Sequence, residues 1–243
     1  MDNSKRTGFF TSSQMSRLTA SLKSGKPSSA FNTYVNEVYL ETQMKRPCNL
    51  QVKTIPMKWG NLMECVLFNI LGLDYKMTHQ QSIKHPIYSD NWSGTPDLIK
   101  EGFKIGEIKS FQPKNFAELS LCIAKKDIDL FKTEFPKEYW QCVSNAVLCE
   151  LANAEIISYM PYFDELEEII EKVEDTNFLE SNGLNPQDYY FLIQGDIEGL
   201  PYLPKDSKIE NITRFEFVVP EEDKEFLTKR VELAIESLSL KLG

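Results

Sequence analysis

The chain has 243 residues, 42% hydrophobic and 26% charged. One hydrophobic core still serves a chain of that length, and the composition excludes collagen-like, mucin-like and wholly disordered proteins. No run approaches the roughly 18 uninterrupted apolar residues of a membrane helix, and Met1–Ser13 lacks the apolar centre of a secretory signal, so a soluble, unprocessed single domain with no membrane partner is expected. The net charge of −9 disfavours a polyanionic partner on balance, but residues 1–58 carry nine basic and three acidic side chains, so a local +6 sits on a remainder of −15. That asymmetry is compatible with polyanion binding through one face and equally with a solvated basic surface.

Met15, Leu18 and Leu22 stand at helical spacing after a capping Ser12 or Ser13, with Gly25 placed to stop the helix. A second helix begins near Ser28–Ser29 and turns Phe31, Tyr34, Val35 and Val38 inward. The clearest amphipathic helix is Met57–Leu71, with Trp59, Leu62, Met63, Val66, Leu67 and Ile70 on one face and Gly72 at its end. Glu64 lies off that stripe, with Gly60 and Phe68 one turn away. Its carboxylate can therefore look over a small residue into a cleft.

From Gln81 the pattern shortens to strands over Ser82–Tyr88, Asp97–Lys100 and Phe103–Lys109, the last two joined by a Glu101-Gly102 turn. Helices over Asn115–Lys132 and Pro136–Leu151 and a strand near Glu155–Met160 follow. Residues Glu150–Glu180 hold ten acidic side chains and one basic, Lys172, so any helix there shows water an acidic face. Asn182–Lys208 reads as an irregular excursion around a short Tyr189–Ile193 strand. Arg214–Val219 closes the chain as a strand and Glu221–Leu240 as a helix. This order predicts an α/β or α+β architecture with a central sheet flanked by helices.

The five cysteines show no C-x-x-C spacing and read as reduced core residues, and only His79 and His85 are present. Cysteine–histidine and serine–histidine–aspartate chemistry therefore has little material, and an enzyme built on this chain runs on carboxylates. Asp97 opens one strand while Glu107 and Lys109 end the next, so the hairpin can gather all three at one edge of the sheet. Period-2 geometry puts Glu107 and Lys109 on one face. Close carboxylates repel unless a divalent cation separates them, and Mg²⁺ accepts oxygen donors while keeping several waters. A neighbouring lysine can orient or deprotonate an attacking water, which is equipment for metal-assisted phosphodiester hydrolysis. Taken by itself, this short pattern fits at least as well an exposed hairpin with a surface ion pair worth ~0–1 kcal/mol.

With its context the segment resembles the PD-(D/E)xK nuclease signature, and the surrounding sequence is similar to the lambda-type exonucleases, the YqaJ-like viral recombinases. Four stretches carry the resemblance in order: Arg6–Ser13 (RTGFFTSS), Trp59–Glu64 (WGNLME), Thr95-Pro96-Asp97 with Glu107-Ile108-Lys109, and Tyr139-Trp140-Gln141. The resemblance implies a restriction-endonuclease-like α/β fold with a basic helical part over 1–58, a catalytic core over about 59–151 and an acidic part over 152–243. It implies Asp97, Glu107 and the Ile108 carbonyl as Mg²⁺ ligands, with Mn²⁺ as a substitute. Glu64 would support a second ion, and Lys109 would act on the nucleophilic water. Arg6, Ser13, Thr95 and Gln141 fall where the family holds the 5′-phosphate of a DNA end, and Met57 where it places a wedge against the terminal base pair. The competing local readings are a frayed terminal arginine for Arg6, a helix cap for Ser13 and an exposed helix residue for Gln141, against which Ser144 and Asn145 extend a polar stripe from Gln141; Trp59 and Trp140 read as core anchors. Val143 stands where the family often has a second glutamine.

The implied activity is removal of nucleotides from the 5′ strand at duplex DNA ends, leaving a 3′ single-stranded tail. The implied partners are a single-strand annealing protein and further copies of the chain in a ring-shaped trimer, in a phage or prophage protein acting in the bacterial cytoplasm. The competing readings are a structure- or site-directed endonuclease of the same superfamily and a non-catalytic DNA-binding protein that kept the fold. The end-phosphate residues argue against the first and the intact Glu64, Asp97, Glu107 and Lys109 against the second.

Overall fold

The computed structural model describes residues 7–49, 54–72, 74–78, 81–194 and 199–243. After β1 (Phe10–Thr11) and a 3-10 turn over Ser12–Gln14, α1 covers only Met15–Thr19. The helix expected to carry Leu22 ends early, and Leu22 is exposed. Residues beyond Thr19 fold back on themselves: the Leu22 N–H donates to the Lys26 carbonyl at 2.8 Å, and Arg230 donates to the Gly25 carbonyl at 3.1 Å. Gly25 supplies the positive φ of this turn, 78°, instead of a helix stop. α2 (Ser29–Met44) buries Phe31, Tyr34, Val35 and Val38 as the periodicity predicts.

α3 (Ile55–Leu71) opens on Thr54, whose hydroxyl accepts from the Met57 N–H at 3.4 Å, and ends at Gly72. Trp59, Leu62, Met63, Val66 and Leu67 are buried along its stripe, while Ile70 emerges into solvent.

Short strands follow: β2 (Lys76–Met77), β3 (Ile83–Lys84), β4 (Trp92–Gly94), β5 (Leu98–Lys100) and β6 (Lys104–Lys109). The strand expected over Ser82–Tyr88 is cut to two residues. Pro86 has no N–H to give a ladder, and His85 Nδ1 accepts from the N–H groups of Ile87 and Tyr88, both at 3.2 Å, which turns the chain. The single helix expected over Asn115–Lys132 is two, α4 (Pro113–Ile123) and α5 (Ile128–Glu134). Lys126 breaks it with a φ of 53°, and Asp127 caps the restart by accepting from the Leu130 N–H at 3.0 Å.

α6 (Pro136–Leu148) and β7 (Asn153–Tyr159) come next. In the acidic segment α7 (Leu166–Glu174) buries Leu166, Ile169 and Val173 and turns its glutamates outward, and α8 (Thr176–Ser181) follows. Tyr189–Ile193 is helical, contrary to the strand expected there, within a 3-10 turn over Pro186–Tyr189 and α9 (Tyr190–Gln194). Asn185 caps it by accepting from the Gln187 N–H at 3.2 Å, and Pro186 at the first position favours a helical start. β8 (Ile212–Val218) and α10 (Glu221–Leu242) complete the chain.

The main sheet has five strands in the order β2-β5-β6-β7-β8. Only β6 and β7 run parallel, across the crossover that carries α4, α5 and α6. A three-stranded sheet, β1-β4-β3, lies apart and joins the N-terminal segment in parallel to Trp92–Ser93. On one face of the main sheet Ile105, Ala154, Ile156, Phe215 and Phe217 pack with α1, α2, α6 and α10. On the other, Leu98, Ile108, Ile157 and Tyr159 pack with α3, α7 and α8. The architecture is the expected mixed α/β arrangement of helices around a central sheet. Cys65, Cys122 and Cys142 are buried thiols, and no described helix is long and apolar enough to cross a membrane.

Candidate active site

The β5–β6 register pairs Leu98 with Gly106, and carried one residue further it sets Asp97 across from Glu107. Asp97 Oδ2 accepts from the Ile108 N–H at 2.8 Å, which ties the residue before β5 to the end of β6. Glu107 and Lys109 share a face, as strand periodicity requires, and Lys109 Nζ donates to Glu107 Oε2 at 3.3 Å. Glu107 is 0% exposed, so the exposed-hairpin reading fails. Because β6 runs between β5 and β7, the group sits at the end of an interior strand and not on a lateral edge of the sheet.

The residue from outside the hairpin is Glu64 on α3, which leaves the apolar stripe as its position predicts. Burial pushes its carboxyl well above the ordinary carboxylate range, and the charges of Asp97 and Glu107 push it further while Lys109 opposes them. Glu107 is pushed up to about 8, first by burial and then by Asp97, against the pull of Lys109 and Asn145. Burial works against the Lys109 ammonium, but Glu107, Asp97 and Glu64 outweigh it and raise its pKa.

Two small cavities meet here. One, of about 70 Å³, is lined by Asn61, Glu64, Thr95, Asp97 and Gly183 among others. The second, of about 30 Å³, is walled by Thr11, Ser12, Ser13, Ser93, Gly94, Thr95 and Gln141, hydroxyls and an amide with no carboxylate. Thr95 belongs to both. Ser13, Thr95 and Gln141 are thus brought together beside the carboxylates, whereas Arg6 lies outside the described residues. Met57 is exposed near the start of α3, two helical turns before Glu64. Trp59 and Trp140 are core residues. A larger cavity, about 520 Å³ between the end of α6 and α10, includes none of these side chains.

The helix α6 does more than its sequence pattern announced. Gln141 Nε2 donates to Glu107 Oε2 at 2.6 Å, so this residue touches the acidic group as well as the hydroxyl-lined cavity. Asn145, one turn on, donates to Glu107 Oε1. Ser144 Oγ lies 2.8 Å from Ser12 Oγ and accepts from Trp92 Nε1 at 3.0 Å. The Gln141, Ser144, Asn145 spacing predicts this polar stripe, since residues three and four apart share a helix face. Nothing local said that this polar stripe is buried, yet Ser144 and Asn145 are fully so.

Gly94 is where β4 passes under that stripe. A Cβ there would fall 2.0 Å from Ser12 Oγ, 2.2 Å from Asn145 Oδ1 and 2.6 Å from Leu148 Cδ1. Gly94→Ala is therefore expected to destabilise the fold by about 1–3 kcal/mol, as overpacking does. Urea unfolding reads this as a lowered midpoint at an unchanged slope.

The donor chemistry fits a hard divalent cation: Glu64, Asp97 and Glu107 offer only oxygen, and their mutual repulsion is the kind that an ion relieves by displacing a proton. Among the described residues no three His, Cys, Asp or Glu side chains are gathered to chelate an ion by themselves. A Mg²⁺ site needs only one or two carboxylates with waters making up the remainder, and Asp97 and Glu107 with the Ile108 carbonyl would hold it.

No protein-family model and no curated protein matches the chain. Solved structures do. The alkaline exonuclease LHK-Exo from Laribacter hongkongensis superposes with a TM-score of 0.62 at 12% identity, over 98% of this chain and 91% of that one, both by itself and in complex with dAMP. A phage-related exonuclease from Haemophilus somnus 129PT superposes with a TM-score of 0.58 at 14% identity, over 96% of this chain and 95% of that one. At such identities the likeness is one of architecture, and it spans nearly the whole of each chain: this protein has the fold of the alkaline and phage-related exonucleases.

Proposed function

We propose that the protein is a divalent-metal-dependent exodeoxyribonuclease that enters at duplex DNA ends and removes nucleotides from the 5′ strand, leaving a 3′ single-stranded tail. The observation that carries this reading is the shared wall at Thr95. It sets a pocket of hydroxyl and amide donors, suited to a terminal phosphate, directly beside Asp97 and Glu64. The exonuclease fold supports it. Mg²⁺, with Mn²⁺ as a substitute, would polarise the phosphodiester and acidify an attacking water.

The protein's own residues have separate tasks. Ser13, Thr95 and Gln141 hold the end phosphate, joined by Arg6. Asp97 and Glu107 place the cation, and Glu64 serves a second ion or its waters. Lys109 offsets negative charge and orients the nucleophile. Met57, exposed on the same helix as Glu64, is the wedge. The acidic surface of α7 faces away from DNA in a ring-shaped trimer of the restriction-endonuclease-like class, and an annealing protein takes up the 3′ tail.

The test uses linear and closed-circular duplexes with each strand labelled separately, in Mg²⁺ or chelator. The expected result is loss of the 5′-phosphorylated strand of the linear duplex only, abolished by chelator, with the circle intact. Cleavage of the circle would point to an endonuclease, and inert DNA in every lane would leave the fold without this activity.

A further inference from the structure

We infer that Asn145 is a positioning residue for Glu107, holding that carboxylate in the orientation that sets the site's affinity for its divalent cation. The inference rests on the nuclease reading and deepens it. Asn145 is 0% exposed and lies behind Gln141 on α6. The two amides, one helical turn apart, take opposite ends of one carboxylate: Gln141 donates to Oε2 and Asn145 to Oε1. A carboxylate gripped at both oxygens cannot rotate.

The cost of this arrangement is visible on the far side of the Asn145 amide. With Glu107 ionised, as a cation requires, flipping the group would press one oxygen against another, so Glu107 dictates which way it points. Asn145 Oδ1 is left buried without a hydrogen-bond partner among the described atoms. It is crowded toward Gly94, where a Cβ would lie 2.2 Å from it. A buried unpaired acceptor weakens a fold. A position that needed only to be filled has no use for a buried amide. What asparagine adds is one donor, and that donor goes to Glu107.

The division between the two amides follows from their surroundings. Gln141 walls the hydroxyl-lined cavity and Asn145 does not. Losing Asn145 should weaken the cation without touching the DNA end.

The test is Asn145→Leu in the full chain, with Mn²⁺ binding measured calorimetrically without DNA. The expected result is Mn²⁺ affinity about 10–100-fold weaker, as for other partners of metal-ligating groups. The metal-free variant should still melt cooperatively, and KM for a 5′-phosphorylated duplex at saturating Mn²⁺ should be unchanged. Mn²⁺ affinity within twofold of the parent would overturn the inference. If the leucine variant does not fold, Asn145→Ala is judged by the same criteria. A parent protein that binds no Mn²⁺ would overturn the metal-dependent reading itself, whereas a parent that binds and a variant that binds equally would overturn only the role of Asn145.

Discussion

Asp97→Asn and Lys109→Ala are each expected to lower Mg²⁺-dependent degradation of linear duplex DNA by about a hundred- to a thousandfold, the scale on which single charge-stabilising groups act in buried sites. The two substitutions remove different things. Asparagine at 97 keeps an acceptor for the Ile108 N–H, whose bond to Asp97 Oδ2 measures 2.8 Å, but loses the negative charge that a cation needs. Alanine at 109 removes the ammonium that donates to Glu107 Oε2, while Gln141 and Asn145 still hold that carboxylate. Both variants should still melt cooperatively, Lys109→Ala at a lower temperature than the parent because buried Glu107 loses its ammonium partner. Retained DNA degradation by either folded variant would remove that residue from the chemistry, and loss of folding would make its role structural.

Glu155→Ala is expected to cost about 1.5–3 kcal/mol of stability, because it removes the ionised acceptor of Arg214, Tyr75 and Lys104 and leaves buried Lys104 with Glu216 alone. Glu155 lies on the face of β7 opposite the α6 side, 2% exposed. It receives Lys104 at 3.0 Å, Arg214 at 2.8 Å and the Tyr75 hydroxyl at 2.6 Å. Lys104, itself buried, also pairs at 2.5 Å with Glu216, a carboxylate that is 41% exposed. Chemical denaturation measures the loss, and a drop under about 1 kcal/mol, the worth of a surface pair, would refute the buried-network account.

The pH dependence of the same group carries a definite sign. Burial opposes ionisation of Glu155, but hydrogen bonds from Arg214, Tyr75 and Lys104 outweigh it and lower its pKa below the ordinary glutamate value of 4.5. A carboxyl lowered in the folded state stabilises the fold fully above its unfolded pKa and loses that contribution as pH falls through the folded one. The difference between parent and Glu155→Ala should thus be greatest at neutral pH and shrink as pH falls below about 4.5. Because Glu155 lies on the face of the sheet opposite Glu107 and Lys109, Glu155→Ala tests stability apart from chemistry.

Much of the secondary structure was legible because its signals are local. The 3.6-residue stripe of α3 and the inward residues of α2 follow from periodicity, and the β5–β6 hairpin follows from a turn whose Gly102 adopts a φ of 68°. Local signals also failed in identifiable ways. Leu22 belongs to the right period but lies past the point where the chain turns back, and a lysine at positive φ split a helix that composition alone kept whole. At Tyr189–Ile193 an aromatic, β-favouring run yielded to the cap and proline before it, so context overrode propensity.

By itself the sequence determined that Glu107 and Lys109 share a face, that Glu64 leaves the apolar stripe of its helix, and that Gln141, Ser144 and Asn145 align along another. Each is a consequence of backbone periodicity over a few residues, which no neighbour has to supply. Only the tertiary structure decided that these local sets meet: that β6 lies inside the sheet, that Glu64 approaches Asp97 across the gap between α3 and the hairpin, and that the α6 stripe is buried against Glu107 with Gly94 beneath it. Those are contacts between segments tens of residues apart, selected by which apolar faces pack together and by where a glycine leaves room, and no local spacing encodes that choice.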